Sequence, residues 1–326
     1  MNKFLFITIL FFTCLVNSQV QPSTKYAQTI TDKELKELLY VYASDYFAGR
    51  EAGTRGQKLA VDFLKDYYIS LGINSAEGTS PAYFQTMKLI IDRKIINTEN
   101  VAAIIPGSDK PEEYIVITSH LDHIGTHDGE INNGADDDGS GTVAMLEIAE
   151  AFKVAYDKGE GPKRSILFLH VSAEEKGLLG SKYYVENPLY PLDDTVANLN
   201  IDMIGRTDPK RLDKDPNYIY LIGSDRLSQE LHDLSEAANN KFTNLILDYT
   251  FNDLNDPNRF YYRSDHYNFA KNNIPIIFYF NGTHEDYHKP GDTVDKINYP
   301  LLEKRTKLIF YTLWELANRE ERINLD

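Results

Sequence analysis

Five residues of types that bind metal ions stand at or near the ends of apolar, strand-like segments of this 326-residue chain. They are two histidines and three carboxylates: His120, Asp137, Glu175, Asp202 and His288. Such a mixed nitrogen and oxygen donor set suits borderline-soft divalent ions such as zinc. Three carboxylates also offset much of the charge of two such ions. The pattern therefore predicts a hydrolase site with two divalent metal ions, of which Zn²⁺ is the favoured species.

Two further acidic residues lie beside these candidate ligands. Glu174 directly precedes Glu175, where it is placed to act as a base on a metal-bound water, and neighbouring carboxylates in one site usually take different roles. Asp122 follows His120 by two residues and is predicted to orient the second ring nitrogen of that histidine. Taken singly, a solvated acidic pair and a hydrogen-bonded histidine at a strand end are the structural alternatives.

Three adjacent aspartates stand between glycines in G-A-D-D-D-G-S-G, at residues 134–141. Because adjacent carboxylates repel one another, a solvated turn is a poor explanation, and capping of the following helix accounts for one of the three. A carboxylate that bridges two cations explains the rest better. Asp202 ends an apolar segment, and a buried carboxylate needs a partner. We expect His123, His127 and His266 outside the ligand set, since each lacks an equally placed carboxylate partner.

The elements that position these residues alternate between strands and helices. Continuous apolar segments predict strands buried on both faces, and apolar residues at helical spacing predict helices between them. We therefore expect a single α/β domain with a mostly parallel central sheet flanked by helices on both faces. His120, Glu174–Glu175 and Asp202 each follow a predicted strand, at the sheet edge where such folds bind ligands. The predicted strands are 83–96, 100–105, 114–119, 165–172, 196–201, 218–222 and 274–280, and the predicted helices are 31–42, 54–71, 140–156, 225–240 and 300–319.

Composition and the N-terminal segment limit the partners and the location. A formal net charge of −15 argues against nucleic acid or an anionic membrane surface as a partner. Lys3 and the apolar run 4–16 predict a signal peptide at residues 1–18, followed by a polar leader at 19–30 and a catalytic domain at 31–326. We expect a secreted or periplasmic protein without stable membrane insertion. Lipoprotein anchoring at Cys14, the only cysteine, is disfavoured by the bulky residues before it.

With these motifs the chain resembles the secreted di-zinc aminopeptidases of the leucyl aminopeptidase type. Their superfamily also contains glutamate carboxypeptidases and glutaminyl cyclases. The resemblance begins near Gly49, in A-G-R-E-A-G-T-R-G, and continues to the C-terminus. It implies a zinc-exopeptidase fold that binds one zinc through His120, Asp202 and Asp137, and a second zinc through Glu175, His288 and the same Asp137.

The resemblance also implies roles for residues outside the ligand set. Glu174 matches the general base, and Tyr287 matches a tyrosine that helps to stabilise the oxyanion. Family members have a cis peptide bond after the bridging ligand, which implies one at Asp137–Asp138. The segment 263–266, R-S-D-H, matches a part of the family that lines the substrate pocket. The implied activity is removal of N-terminal residues from peptides with a free N-terminus.

Three alternatives remain on the same fold. A glutaminyl cyclase has a tryptophan-rich pocket, whereas the single tryptophan, Trp314, falls in the predicted C-terminal helix. A carboxypeptidase needs a basic residue for the substrate's carboxylate, and Arg263 is the cation that lies near a motif. A binding module without enzymatic activity would be expected to lose ligands, but this chain retains all five and the base.

Overall fold

The structure, a computed structural model, describes residues 22–91 and 93–326. The predicted signal peptide, residues 1–18 with Cys14, lies outside these ranges. Within them, no helix combines the length and the apolar character needed to cross a membrane.

The helices begin and end where the sequence places capping residues. The side chain of Thr31 accepts a hydrogen bond from the backbone N–H of Glu34 at the start of one helix, and Thr54 caps the next. That helix stops at Gly72, whose φ of 68° is the left-handed conformation that glycine adopts readily. The α-helices are α1 Pro22–Ala27, α2 Asp32–Tyr42, α3 Arg55–Leu71, α4 Gly141–Asp157, α5 Leu179–Glu186, α6 Gln229–Ala238, α7 His266–Ala270 and α8 Tyr299–Asn318.

The strands form one large mixed sheet and a small separate hairpin. They are β1 Asn74–Ser75, β2 Phe84–Ile91, β3 Lys94–Ile105, β4 Lys110–His120, β5 Thr126–His127, β6 Glu130–Ile131, β7 Arg164–Val171, β8 Thr195–Ile201, β9 Tyr218–Ile222, β10 Ile246–Asp248 and β11 Ile276–Phe280. The large sheet has the order β1-β3-β7-β4-β8-β11-β9-β10, and β2 pairs with β3. Strands β7, β4, β8 and β11 run parallel to one another, whereas β3 and β9 join this centre antiparallel.

Helices cover both faces of the sheet, as alternate residues of β4 show. Ile115 and Ile117 are buried in the core that α2, α3, α4 and α8 share. Val116 points to the opposite face, where it belongs to a second core with Tyr184 of α5 and Phe269 of α7. Burial on both faces explains the continuous apolar character of the strand. The structure confirms the predicted single α/β domain with helices on both faces, and its sheet is parallel at the centre and antiparallel on either side.

The predicted boundaries are wrong in the region of β2 and β3. The sequence predicts one strand over residues 83–96, but β2 ends at Ile91 and β3 begins at Lys94. Apolar residues continue across the turn, so hydrophobicity alone gives no sign of it. Ile90 and Ile95 pair across this hairpin, and their side chains are 78% and 69% exposed. The sequence analysis also does not predict the short elements α1, α5, α7 and β10.

Part of the segment predicted as a polar leader belongs to the fold. Tyr26 of α1 is buried, and its ring stacks on Trp314 of α8 with 5.7 Å between centroids. Its hydroxyl donates a hydrogen bond to Glu160, 2.6 Å away. The N-terminal helix therefore contributes to the core, although its sequence is mostly polar.

This packing predicts a large difference between two tyrosine substitutions. Tyr26→Ala should lower the free energy of unfolding by about 3 kcal/mol, because it empties a buried aromatic position. The matched control Tyr46→Ala removes a side chain that is 66% exposed and should cost less than about 1 kcal/mol. Urea unfolding of both variants measures the difference, and equal losses would contradict the packing of α1.

Candidate metal centre

The predicted ligands meet at the carboxyl-terminal edge of the parallel strands. His120 is the last residue of β4, and Asp202 directly follows β8. Glu175 follows β7 by a few residues, and Asp137 lies in the turn Ala135–Ser140 before α4. His288 comes from the loop after β11. The structure thus brings together all five residues that the sequence predicts as ligands.

Asp137 lies at the centre of this group, with one carboxylate oxygen on each side. Its Oδ1 is 3.1 Å from Nε2 of His120, which is also 3.6 Å from Oδ1 of Asp202. Its Oδ2 is 3.1 Å from Nε2 of His288, which is 3.1 Å from Oε2 of Glu175. Two groups of donors therefore share one carboxylate. This arrangement is consistent with the bridging role that the family resemblance implies.

Burial and charge make this group suitable for cations. Oδ2 of Asp137 is buried and makes no well-oriented hydrogen bond within the described residues. Burial lowers the pKa of His288, but its close contacts with the carboxylates of Asp137 and Glu175, both at 3.1 Å, outweigh this effect and raise the pKa to about 10. Two imidazoles and three carboxylates within reach of one another are the donors that divalent ions such as zinc use, so the residues fit two such ions.

Asp138 is close to the same ligands but has a different role. Its Oδ1 accepts hydrogen bonds from the backbone N–H groups of Gly141 and Met203, both at 3.0 Å, and its Oδ2 accepts one from His120 at 3.2 Å. Although its carboxylate lies within reach of His120 and Asp202, both of its oxygens already accept hydrogen bonds from these donors. The carboxylate that lies between the imidazoles of His120 and His288 is that of Asp137. The peptide bond between Asp137 and Asp138 is cis, in agreement with the family resemblance.

Asp136 and Asp292 fix the turn from the other side. Oδ1 of Asp136 accepts hydrogen bonds from the backbone of Gly205 at 2.6 Å and from the hydroxyl of Ser140 at 3.0 Å. The carboxylate of Asp292 accepts hydrogen bonds from the backbone N–H groups of Asp136 and Asp137 at 3.0–3.1 Å. The three adjacent aspartates thus have separate partners, which is how the fold accommodates their charges.

Glu174 lines the pocket that Asp137 and Asp202 also line. Burial raises its pKa well above the ordinary value, against the opposing charge of His120, and nearby Glu175 raises it further. The backbone N–H of Glu174 donates to Oδ1 of Asp122 at 3.1 Å. This contact holds the Glu174 segment against the loop that follows β4.

The predicted role of the Asp122 side chain is wrong. Nδ1 of His120 lies 3.0 Å from the backbone carbonyl oxygen of Asp122, not from its carboxylate. The chain turns directly after β4, so the carbonyl reaches the ring while the carboxylate points to the Glu174 backbone. Asp122 still orients the histidine, but any residue at this position could supply the same main-chain acceptor.

A cluster of apolar and mostly aromatic side chains, the aromatic wall, also lines the pocket. Its apolar lining residues are Met203, Phe260, Phe278 and Phe280. Tyr287 also lines it, and its ring stacks on His288 with 3.9 Å between centroids. Burial and the nearby carboxylates raise the pKa of Tyr287, so its hydroxyl keeps its proton at neutral pH. Arg263 also lines the pocket, with its guanidinium 4.8 Å from the ring centre of Phe260.

His123 is a member of the centre that the sequence analysis missed. Its Nδ1 lies 2.8 Å from Oε1 of Glu175, so the expectation that it lacks a carboxylate partner is wrong. This partner is 52 residues away in the chain, and only its spacing of three residues from His120 could have suggested the site. His127 and His266 stay outside the group. Nε2 of His127 contacts a backbone carbonyl on the exposed hairpin, and His266 is buried against Phe278.

Comparisons with known proteins agree with this site. A family model described as Peptidase family M28 matches residues 100–313. A probable leucine aminopeptidase of Arthroderma otae is 30% identical over 301 residues, which cover 87% of this chain and 76% of that protein. Probable leucine aminopeptidases of Arthroderma benhamiae and Trichophyton verrucosum are 30% identical, and the chain spans 57% of the length of each.

Two solved structures share the fold. A zinc aminopeptidase from Bacillus subtilis is 17% identical with a TM-score of 0.67, over 91% of this chain and 98% of that one. A glutaminyl cyclase from Porphyromonas gingivalis is 20% identical with a TM-score of 0.69, over 87% and 98%. The fold and the buried donor set are those of a metal-dependent peptide hydrolase. The chain belongs to peptidase family M28.

The raised pKa of His288 predicts how metal affinity depends on pH. Below its pKa of about 10 the ring carries a proton that an arriving ion must displace, so affinity should rise with pH. One displaced proton corresponds to about a tenfold gain in affinity for each pH unit. Calorimetric titration with zinc at neutral pH, in two buffers of different ionisation enthalpy, counts the protons. Binding without proton release would contradict this prediction.

Proposed function

We propose that the protein is a secreted aminopeptidase that uses two zinc ions and Glu174 as general base. The observation that carries this proposal is the position of Asp137. Its two oxygens each lie 3.1 Å from a different imidazole, those of His120 and His288, beside a pocket that Glu174 lines. His120 and Asp202 would hold one ion, Glu175 and His288 the other, and Asp137 both.

The residues around the pocket have complementary parts in peptide hydrolysis. When bound, the two ions supply a Lewis acid for the scissile carbonyl and lower the pKa of a water molecule. Glu174 accepts the proton of the attacking water and passes it to the leaving amine. Tyr287 donates its hydroxyl hydrogen to the carbonyl oxygen as negative charge develops there, since its raised pKa keeps it protonated.

Charge at the pocket favours the amino end of a peptide. Glu174 and Asp202 line it, and their carboxyl oxygens can accept hydrogen bonds from an incoming ammonium group. Arg263 lines the same pocket and could pair with a substrate carboxylate, as the carboxypeptidase alternative requires. However, its guanidinium lies over the ring of Phe260, on the aromatic wall. We therefore favour recognition of a free N-terminus.

The aromatic wall indicates which terminal residues fit. Phe260, Phe278 and Phe280 form a continuous buried cluster with Met203, which directly follows the ligand Asp202. An apolar side chain placed against this wall leaves water without losing hydrogen bonds, so we propose a preference for apolar N-terminal residues. The Arthroderma otae relative is described as a probable leucine aminopeptidase, and leucine is an apolar residue, which supports the same preference.

The composition of the pocket argues against the cyclase alternative. Trp314 stacks on Tyr26 and Phe152 in the helical core and is not among the pocket residues. The pocket therefore lacks, among the described residues, the tryptophans that a cyclase would use.

For the location, the apolar segment before residue 18 supports export of the protein.

Substituting each of the two adjacent glutamates in turn distinguishes the proposed base from the proposed ligand. Glu174→Gln should retain bound metal but lose about 10²–10⁴-fold in kcat, because it removes only the proton acceptor. The matched control Glu175→Gln should lose metal affinity, because it removes a donor. Metal content after dialysis and single-turnover rates measure both effects. The opposite pattern of metal loss would reverse these two roles.

Blocking the substrate's amino group tests which end is cut. A leucyl peptide should be cleaved from its N-terminus, whereas its N-acetylated form should lose more than about 100-fold in kcat/KM, because the charge contact with the pocket disappears. A chelator-treated sample is the control and should lose activity on the free peptide, with recovery on addition of zinc. Equal cleavage of the acetylated peptide, with release from its C-terminus, would support the carboxypeptidase alternative.

A further inference from the structure

Arg50 is a buried cation whose partners are all neutral carbonyl groups. Its side chain is almost fully buried, which is rare for arginine without a paired acid. Within residues 22–91 and 93–326, no carboxylate oxygen lies within 4.0 Å of its guanidinium. Instead Nε donates to the carbonyl oxygen of Leu121 at 3.2 Å, and the terminal nitrogens donate to Asn133 at 2.7 Å and Gly134 at 2.9 Å.

These carbonyls belong to the two loops that carry the candidate ligands. Leu121 lies directly after His120, in the loop that also carries His123. Asn133 and Gly134 lie directly before the turn that contains Asp137. One planar group therefore binds both loops, with several hydrogen bonds in fixed directions.

The backbone around Arg50 holds the side chain in this position. Gly49 and Arg50 both have positive φ values, 71° and 51°. A Cβ atom on Gly49 would lie 2.4 Å from the carbonyl oxygen of Asn132 and 2.7 Å from that of Gly125, so the chain passes closely between these residues. A non-glycine residue with positive φ persists only where surrounding contacts fix it. The contacts of the Arg50 side chain are of this kind.

Tyr42 supports the same arrangement. Its hydroxyl donates a second hydrogen bond to the carbonyl oxygen of Leu121, at 2.9 Å. The guanidinium of Arg50 lies over the Tyr42 ring, 4.7 Å from its centre, and Nη1 also donates to the Tyr42 carbonyl at 3.3 Å. The ring, hydroxyl and carbonyl of Tyr42, on helix α2, thus hold the cation and the Leu121 carbonyl together.

We propose that Arg50, supported by Tyr42, is a positioning residue of the metal centre. It fixes the His120 loop and the Asp137 turn at the mutual distance that shared binding of ions requires. Groups that orient metal ligands typically change metal affinity by about 10–100-fold when they are removed. The inference rests on the proposed metal-dependent function, but it concerns metal affinity and not activity.

The matched control is Arg164, a second arginine with the same kind of burial. It also donates to backbone carbonyls, those of Leu316, Arg319 and Glu320, and its Nε in addition pairs with the carboxylate of Glu113 at 2.5 Å. It stands at the first residue of β7, at the sheet edge opposite the candidate metal centre. The general cost of replacing a buried guanidinium should therefore be at least as large at Arg164, whereas an effect on metal binding should be specific to Arg50.

The experiment compares zinc affinity and thermal stability of full-length variants. Arg50→Lys keeps the charge but cannot reach the three carbonyls at once, so it should weaken zinc affinity about 10–100-fold by calorimetric titration. Arg164→Lys should lower the Tm at least as much as Arg50→Lys does and leave zinc affinity within about threefold of wild type. Tyr42→Phe should fold and weaken zinc affinity by less than Arg50→Lys, and it decides the question if Arg50→Lys does not fold.

Each outcome bears on the proposal. Unchanged zinc affinity in Arg50→Lys, or in Tyr42→Phe when Arg50→Lys does not fold, would falsify the positioning role. Equal weakening in Arg164→Lys would show that general destabilisation explains the effect, and would also overturn it. If the wild-type protein bound no divalent ion, the proposed function itself would be wrong, which this experiment distinguishes from a failure of Arg50 alone.

Discussion

The candidate metal centre depends on the hydrogen bonds that the buried carboxylate of Asp138 accepts. A buried carboxylate is costly unless donors satisfy it, and here three backbone N–H groups do so, from His120, Gly141 and Met203. Each donor lies at or beside a critical position: the candidate ligand His120 itself, the start of α4, and the residue after Asp202. Because Asp138 can be satisfied only when these segments meet, its burial also fixes where His120 and Asp202 stand relative to Asp137.

The same principle extends to the loop that carries His288. Asp292 accepts hydrogen bonds from the backbone of the aspartate turn, and Nε2 of His284 lies 3.2 Å from Asp136. Backbone groups and a histidine side chain, more than lysine or arginine, therefore satisfy the acids here. Arg206 comes closest, with one nitrogen 3.9 Å from Asp292. Hydrogen bonds of this kind hold carboxylates in place without cancelling their charge, which leaves a negative centre that cations can neutralise.

The sequence predicts the location of this centre better than its internal contacts. Parallel strands bring their carboxyl ends to one edge, so apolar segments followed by His120, Glu175 and Asp202 were enough to place the site. The different contacts of the three adjacent aspartates depend on partners far along the chain, such as Met203, 65 residues from Asp138. No local pattern encodes such contacts, and the family resemblance, not the residues alone, singled out Asp137. The contact of His123 with Glu175 was missed for the same reason.

The two walls of the pocket come from different parts of the fold, and this separates metal binding from substrate preference. Strands β4, β7 and β8 lead to the anionic wall, whereas β11 and the segment around Phe260 supply the aromatic one. The aromatic residues form their own buried cluster, apart from the main core between sheet and helices. Substitutions within that cluster can therefore reshape the space for a side chain while the hydrogen bonds of Asp138 and Asp292 remain intact. Met203 and Tyr287 are exceptions. The backbone of Met203 binds Asp138 while its side chain lines the pocket, and the ring of Tyr287 packs against the aromatic cluster and stacks on His288. Any coupling between the bound residue and the metal centre should pass through these two positions.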